Sequence, residues 1–383
     1  MSVEIDIIRD SAAFSSLSEE WNALASRFNS PLLRHEWFAA CADAFCPPGE
    51  LSIMVAHDGG EPTAIAPLVI NPKFGTRRFE ILGTSVLGEL SGFIYRDEGS
   101  LRRLIKSIVA ARRPVLFRCL LSDSPELQIL RDEGSTGKAY AKSVTFSSPW
   151  IPITSCWDEF YSTISSSWRS TLRRAQRRAE EIGKVEYEIC TPTAETLDGS
   201  LEEMVRVESS GWKSRTGTAV LVNTGLNRFF RNYTQSATRL GILRFAFLRI
   251  DGKSVASQLL VDYGRRYWVL KVGYDESYAR CSPGILLMHH VIHNAFEQRR
   301  EAFELLGANE PWVHIWKPQV HNHELYRRYP LSPLSVISHG LEAADSAIGR
   351  VRAIMKKEGG GIPWRVLVNK IGRRFGIGRA PVL

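Results

Sequence analysis

The sequence predicts an α/β protein of the α+β kind: two successive units, each a mixed, mostly antiparallel sheet flanked by helices. Three observations carry this. A chain of 383 residues is longer than one hydrophobic core ordinarily serves. Between residues 243 and 307, three strand-like runs lead into an apolar helix and then one more strand. The first third also mixes helical and strand patterns, with a hairpin signal at Asp58-Gly59-Gly60. The expected divisions are 1–150, 151–340 and a basic tail over 341–383.

Near the start, WNALASRF and RHEWFAACADAF have helical apolar spacing. LSIMVAHDGGEPTAIAPLVI reads as two strands around the Asp-Gly-Gly turn, and ARRPVLFRCLL as another. Gly, Ser and Pro punctuate 131–149, so the first unit is expected to end near 150. The second unit opens with a helix over about 167–182. Trp168, Leu172, Ala175, Ala179 and Ile182 share one face, arginines at 169, 173, 174, 177 and 178 fill the rest, and Gly183 is a natural stop. KVEYEIC is a strand, and helices are expected over 197–213 and about 225–239. ILRFAFLRI, SVASQLLVDY and YWVLKVGY, separated by turns at Asp251-Gly252 and Gly264-Arg265, make an antiparallel meander. A helix over 283–299 and the strand EAFELLG complete the unit. In the tail, Trp364, Leu367, Val368, Ile371 and Phe375 form an apolar stripe amid Arg365, Lys370, Arg373 and Arg374. Over 362–379 that stripe suits an interfacial helix on an anionic membrane, and suits docking onto the protein's own body equally.

Composition excludes several classes. Hydrophobic residues make up 44% and charged residues 23%, as in soluble globular proteins. No apolar run reaches the ~18–20 residues of a spanning helix. MSVEIDIIRD has no basic and apolar leader pattern, so the expected location is the cytoplasm, with peripheral contact on the inner membrane face through the tail. Six cysteines without CxxC pairs read as reduced thiols. His289 and His293 stand at i, i+4 without a third ligand, so no metal is expected. GxSxG, Walker and Rossmann glycine patterns are absent, as is an RNA-recognition signature, so nucleic acid is not the expected partner. The net charge is +8, and 9 − 3 = +6 of it lies beyond residue 340. Such patches favour phosphates, lipid headgroups or nucleic acid, or form a solvated face.

The stretch GYDESYARCSPGILLMHHVI, 273–292, raises the chemical question. Ser282 suits an N-cap, Pro283 the first helical position, and Gly284 leaves its amide unobstructed. First-turn amides lack intrahelical partners, and the helix dipole adds positive charge there, so the N–H groups of 284–286, Ile285 among them, suit a pyrophosphate. An ordinary capped helix fits the same residues.

That stretch, with EWNALASRFNSPLLRHEWF, VESSGWKSRTGTAV at 207–220 and FELLGANEPWVHIW at 303–316, resembles the CelD-type, BioF2-like acetyltransferase family, a relative of the FemAB aminoacyltransferases. The likeness spans about 5–330. It implies two tandem GNAT-like domains, with acyl-CoA in the second and its thioester between two splayed strands. By position, Trp212, Lys213, Gln258, Tyr274, Ser282, Pro283, Gly284 and Gly307 match the family pattern. After Gly307 the chain departs from it: Val313 replaces the family's lysine in Ala308-Asn309-Glu310-Pro311-Trp312-Val313. That departure bears on the acceptor.

Acyl transfer needs a base, an oxyanion site and a proton for the thiolate. Glu208 precedes Trp212 by one helical turn and is the base candidate; it also suits a surface carboxylate paired with Arg206 or Lys213. Tyr274 ends the third strand, where a phenol can protonate the thiolate or simply fill the core. His314, His321 and His323 border the expected cleft, and His321 is the histidine alternative for the base. Lys213 is expected to hold a donor phosphate or an acidic acceptor, while Trp212, Gln258 and Trp312 line the substrate. Cys281 stands at a helix N-terminus but is not expected to act as nucleophile. The expected activity moves an acyl group from acyl-CoA to an amine or hydroxyl of an envelope or membrane-lipid acceptor, such as a sphingoid-type amino alcohol or a polysaccharide sugar. Aminoacyl transfer from charged tRNA and a non-catalytic scaffold remain the alternatives.

Overall fold

The computed structural model describes residues 4–73, 76–134, 139–210, 223–333, 335, 337, 340 and 341. Its strands are β1 (Glu4–Ile8), β2 (Leu51–Asp58), β3 (Glu61–Lys73), β4 (Thr76–Ile81), β5 (Ile94–Tyr95), β6 (Val115–Leu121) and β7 (Ala139–Pro152) in the first part of the chain. β8 (Val185–Cys190), β9 (Leu243–Ile250), β10 (Lys253–Tyr263), β11 (Arg266–Tyr274), β12 (Ala302–Glu304) and β13 (Gln319–Pro330) follow. The helices that matter here are α1 (His35–Phe45), α2 (Glu98–Ala110), α3 (Pro125–Gly134), α4 (Ser166–Glu180), α5 (Leu197–Ser209), α6 (Thr224–Arg239) and α7 (Pro283–Glu297).

One mixed sheet takes in all of these strands, in the order β1-β2-β3-β4-β6-β13-β7-β12-β11-β10-β9-β8, with β5 on β3. The two halves share a scheme. In the first, β4 crosses through α2 to the parallel strand β6, with Phe79 opposite Val115. In the second, the antiparallel run β8 to β11 crosses through α7 to the parallel strand β12, with Arg266 opposite Ala302. The halves then exchange ends. β7 follows β6 in the chain but pairs with β12 and β13, while β13 sits between β6 and β7. The β13–β7 register runs unbroken from Gln319 opposite Trp150 to Pro330 opposite Ala139.

Two apolar clusters cover opposite faces of the second half. α5 and α6 pack on one face, joined to the first half where the Trp37 ring meets Phe229 and Tyr233 edge-on, each at 5.0 Å. α7 packs on the other face through Leu286, Leu287, Val291 and Ile292. The expected helices and meander appear within a few residues of their predicted limits. α4 begins where Ser165 caps the Trp168 amide at 3.3 Å, but only Leu172, Ala175 and Ala179 of its stripe are buried. Trp168 and Ile182, at its ends, overhang into solvent. The stretch 131–149, read as punctuation, holds the end of α3 and most of β7. Val144 and Phe146 on β7 face solvent, which hid the burial pattern a strand normally shows.

A small second unit takes in Pro72–Thr76 and the chain from Leu331. Within it Ser332 Oγ accepts from the Ser335 amide at 3.2 Å. The expected tail helix lies outside the described residues, and no described helix is long and apolar enough to cross a membrane.

Candidate active site

The site begins with one extra residue in β11. Leu259 lies opposite Lys271 and Leu260 opposite Val269, so Leu270 is a bulge. Before it, Trp268 belongs to the α5/α6 cluster and Val269 to the α7 cluster. Leu270 joins the α5/α6 cluster, and Lys271 stays on that side, with its Nζ 5.3 Å from the centre of the Phe230 ring. Val272 and Tyr274 then return to the α7 side. β11 and β12 pair only over Arg266–Trp268 and Ala302–Glu304. Beyond that the strands part, and Leu305 donates to Pro149 O at 3.1 Å, following β7 instead.

The chain reaches α7 through a tight turn. Asp275 accepts from the Ser277 amide at 3.0 Å and pairs with Lys253 at 3.1 Å. Ser282 occupies the N-cap position in the left-handed region, φ 50°, and its hydroxyl makes no cap bond. Its carbonyl accepts from Ile285 at 3.0 Å and from Leu286 at 3.2 Å. The expectation of three free amides is thereby corrected. Pro283 has no N–H and 285 and 286 are satisfied, which leaves Gly284 as the first-turn donor without a protein acceptor among the described residues. A Cβ at Gly284 would come within 3.3 Å of Tyr274 Cδ1, so the tyrosine ring lies against the helix start.

α5 crosses the other side of β11. A Cβ on Gly273 would stand 2.8 Å from Glu208 Cα, so only glycine permits this approach. Glu208, read as a surface carboxylate in one alternative, is 2% exposed, with Oε1 3.6 Å from Lys271 Nζ.

These elements enclose a cavity of about 570 Å³. Seven of the predicted site residues line it: Glu208, Gln258, Tyr274, Ser282, Gly284, Ile285 and Trp312. Pro283 is buried at its edge, and Trp212 and Lys213 lie outside the described residues. Gln258 is 1% exposed, with Nε2 3.7 Å from Met288 Sδ and Oε1 without a hydrogen-bond partner among the described residues. A buried carbonyl oxygen left open at a cavity wall is a ready acceptor for a ligand N–H. Trp312, 37% exposed, also lines the cavity.

His321 is not among the lining residues. Its Nε2 meets Glu304 Oε2 at 3.1 Å and its ring stacks on Trp150 at 4.9 Å. The buried Glu304 also takes Arg266 at 2.8 Å, so this histidine completes the polar contacts of a buried carboxylate. His323 is buried, and burial lowers its pKa. The Cys281 thiol bonds Tyr278 O at 3.1 Å, and burial pushes it up, away from the thiolate form. Among the described residues no three His, Cys, Asp or Glu side chains cluster as metal ligands.

Sequence reasoning missed three participants. Glu310 lines the cavity from the GANEPW segment. Lys271 was the one charged residue inside the apolar run YWVLKVGY, a visible irregularity. Glu89, from the first half, had no signal. Its Oε2 accepts from the Gly307 amide at 3.2 Å, beside the parted strands. Burial pushes its carboxyl up to about 7, against the pull of that amide and of Lys271.

Residues 166–314, which hold the cavity, match the acetyltransferase (GNAT) domain family. No curated protein matches the chain. Among solved structures, FemX overlays with a TM-score of 0.54 at 13% identity, covering 86% of this chain and 98% of its own. The C-terminal domain of a candidate lysylphosphatidylglycerol synthetase from Agrobacterium fabrum gives 0.53 at 13%, covering 86% and 96%. A conserved protein of unknown function from Bacteroides thetaiotaomicron gives 0.53 at 11%, covering 85% and 100%. The fold is GNAT-like, a large mixed sheet flanked by helices, and the enzyme class is acyl transfer.

Proposed function

We propose that the protein moves an acyl group from acyl-CoA to an amine, or a hydroxyl, of a cell-envelope or membrane-lipid acceptor, as CelD-type relatives would. The sphingoid-type amino alcohol and the polysaccharide sugar are the acceptor classes in view. The observation that carries this is the cavity that joins an open helix N-terminus, parted strands and an unsatisfied Gln258. In the sequence halves, 1–150 supplies a framework and 151–340 the donor site. The Gly284 N–H and the α7 dipole face the diphosphate, helped by Lys213. The thioester lies in the gap beyond Trp268, where backbone N–H groups of β11 stabilise the oxyanion. Glu208 takes a proton from the amine, whose nitrogen attacks the carbonyl carbon. The C–N bond forms, the C–S bond breaks, and Tyr274 protonates the thiolate. Trp212 and Trp312 flank the acceptor or acyl chain. We place the reaction in the cytoplasm, on the inner membrane face if the tail is an anchor.

Calorimetric titration with acetyl-CoA, palmitoyl-CoA and charged tRNA tests the reading. Acyl-CoA binds, and Gly284→Glu, which puts bulk and negative charge beside the open amide, abolishes that binding without unfolding the protein. Binding of tRNA alone sinks this reading. One observation favours that second reading, an aminoacyl-tRNA donor: Arg173, Arg174, Arg177 and Arg178 on α4 are exposed, with no carboxylate ion-paired to them among the described residues. In that case affinity falls steeply with salt.

A further inference from the structure

We infer that the donor carries a hydroxylated acyl chain, and that Gln258 Oε1 selects it by accepting from a hydroxyl near the thioester. The inference rests on the proposed acyl transfer and names the acyl class.

The cavity has a limb on each face of the sheet. Glu208 and Ser257 line it from the α5 side, where Ser257 Oγ donates to Met204 O at 3.4 Å. Gln258 lines it from the α7 side, since its β10 neighbours on that face, Ala256 and Leu260, belong to the α7 cluster. Val272, Ala279, Ile285 and Met288 give this second limb a lining suited to hydrocarbon. Ser282 is exposed and Tyr274 half-buried at the helix start, while Gln258 and Met288 are buried at the inner end. There Met288 Sδ takes Nε2 and fixes the amide, which leaves Oε1 unmet among the described residues. A plain chain that dries the limb strands this buried oxygen; a chain hydroxyl satisfies it.

Strand order decides which part of the donor reaches Gln258. The gap that takes the thioester lies between β11 and β12, and β10 lies on the other side of β11. The carrier arm runs from Gly284 to that gap and ends at the sulfur. What continues across the α7 face of β11, toward Gln258 opposite Val272, is the acyl chain. One strand spacing, about 4.8 Å, separates the two strands, so the hydroxyl stands within the first few carbons. The acceptor arrives on the other face, with Glu208.

The test is calorimetric titration of wild type and Gln258→Leu with palmitoyl-CoA, 2- and 3-hydroxypalmitoyl-CoA and free CoA, with thermal melts as the check of folding. Wild type is expected to bind one hydroxy ester roughly 10–10²-fold more tightly than palmitoyl-CoA. Gln258→Leu, which puts hydrocarbon in the amide's place, is expected to erase that preference while palmitoyl-CoA and free CoA still bind. Equal wild-type affinity for the three esters overturns the inference and leaves acyl transfer standing, and it decides the matter even if the variant does not fold. A preference that survives in folded Gln258→Leu overturns it too. So does a folded variant that loses free CoA as much as the esters, because the oxygen then reads the carrier arm. If wild type binds none of the esters, the inference and the proposed function fall together.

Discussion

A methyl group at residue 273 decides whether Glu208 can stay where it is. The would-be Cβ lies 2.8 Å from Glu208 Cα and 3.2 Å from its N, and a helix backbone does not yield as a side-chain end does. Gly273→Ala is therefore expected to cost about 1–3 kcal/mol, or to lift α5 and take Glu208 off the cavity. Thermal melts and acyl-transfer rates read the two outcomes, and an unchanged pair refutes the contact. Gly284 differs, since its nearest neighbour is a tyrosine edge at 3.3 Å. That glycine was legible in the sequence because Ser-Pro-Gly announces a helix start. Gly273 was not, because a clash with a helix 65 positions earlier exists only after folding.

α7 shows at the level of an element what periodicity can and cannot say. Its limits and buried face followed from apolar spacing. The chemistry of its start did not: Ser282 was expected to cap with its hydroxyl and instead turns left-handed and offers its carbonyl. The meander was equally legible, but its bulge was not, since register is settled between strands. On the far face of α7, His289 packs against Trp157 at 5.2 Å and Tyr161 at 5.6 Å. Burial, with His293 and His290 nearby, lowers its pKa from 6.5 to about 4. The folded state thus binds fewer protons than the unfolded one between those values. Its contribution is present above pH 6.5 and lost as pH falls through 4, roughly 3 kcal/mol in all. Denaturant melts across this window should show the slope, and His289→Phe, which leaves no buried nitrogen unsatisfied, should flatten it.

In the whole molecule, the exchange of β7 and β13 ties the two halves together. A fragment ending at residue 152 would leave β6 without its β13 partner and β7 without either neighbour. Unpaired strand edges of that length invite aggregation. Fragments 1–152 and 153–333 are expected to be insoluble alone and to recover acyl transfer on co-expression. Two soluble fragments with independent melts would contradict the topology. Composition and order of elements pointed to two similar units, but strand exchange is invisible in sequence because each strand's local pattern is the same whichever neighbour it meets.

Leu270 carries a consequence for how such a site is inherited. Delete that single residue and Lys271 follows Val269 directly, so ordinary alternation resumes and the last four positions of β11 keep their sides. Lysine would stay beside Phe230 and tyrosine at the helix start, while the leucine's place among the α5/α6 side chains would be emptied. One lost codon would thus spare the chemical groups and tax only the packing beneath them.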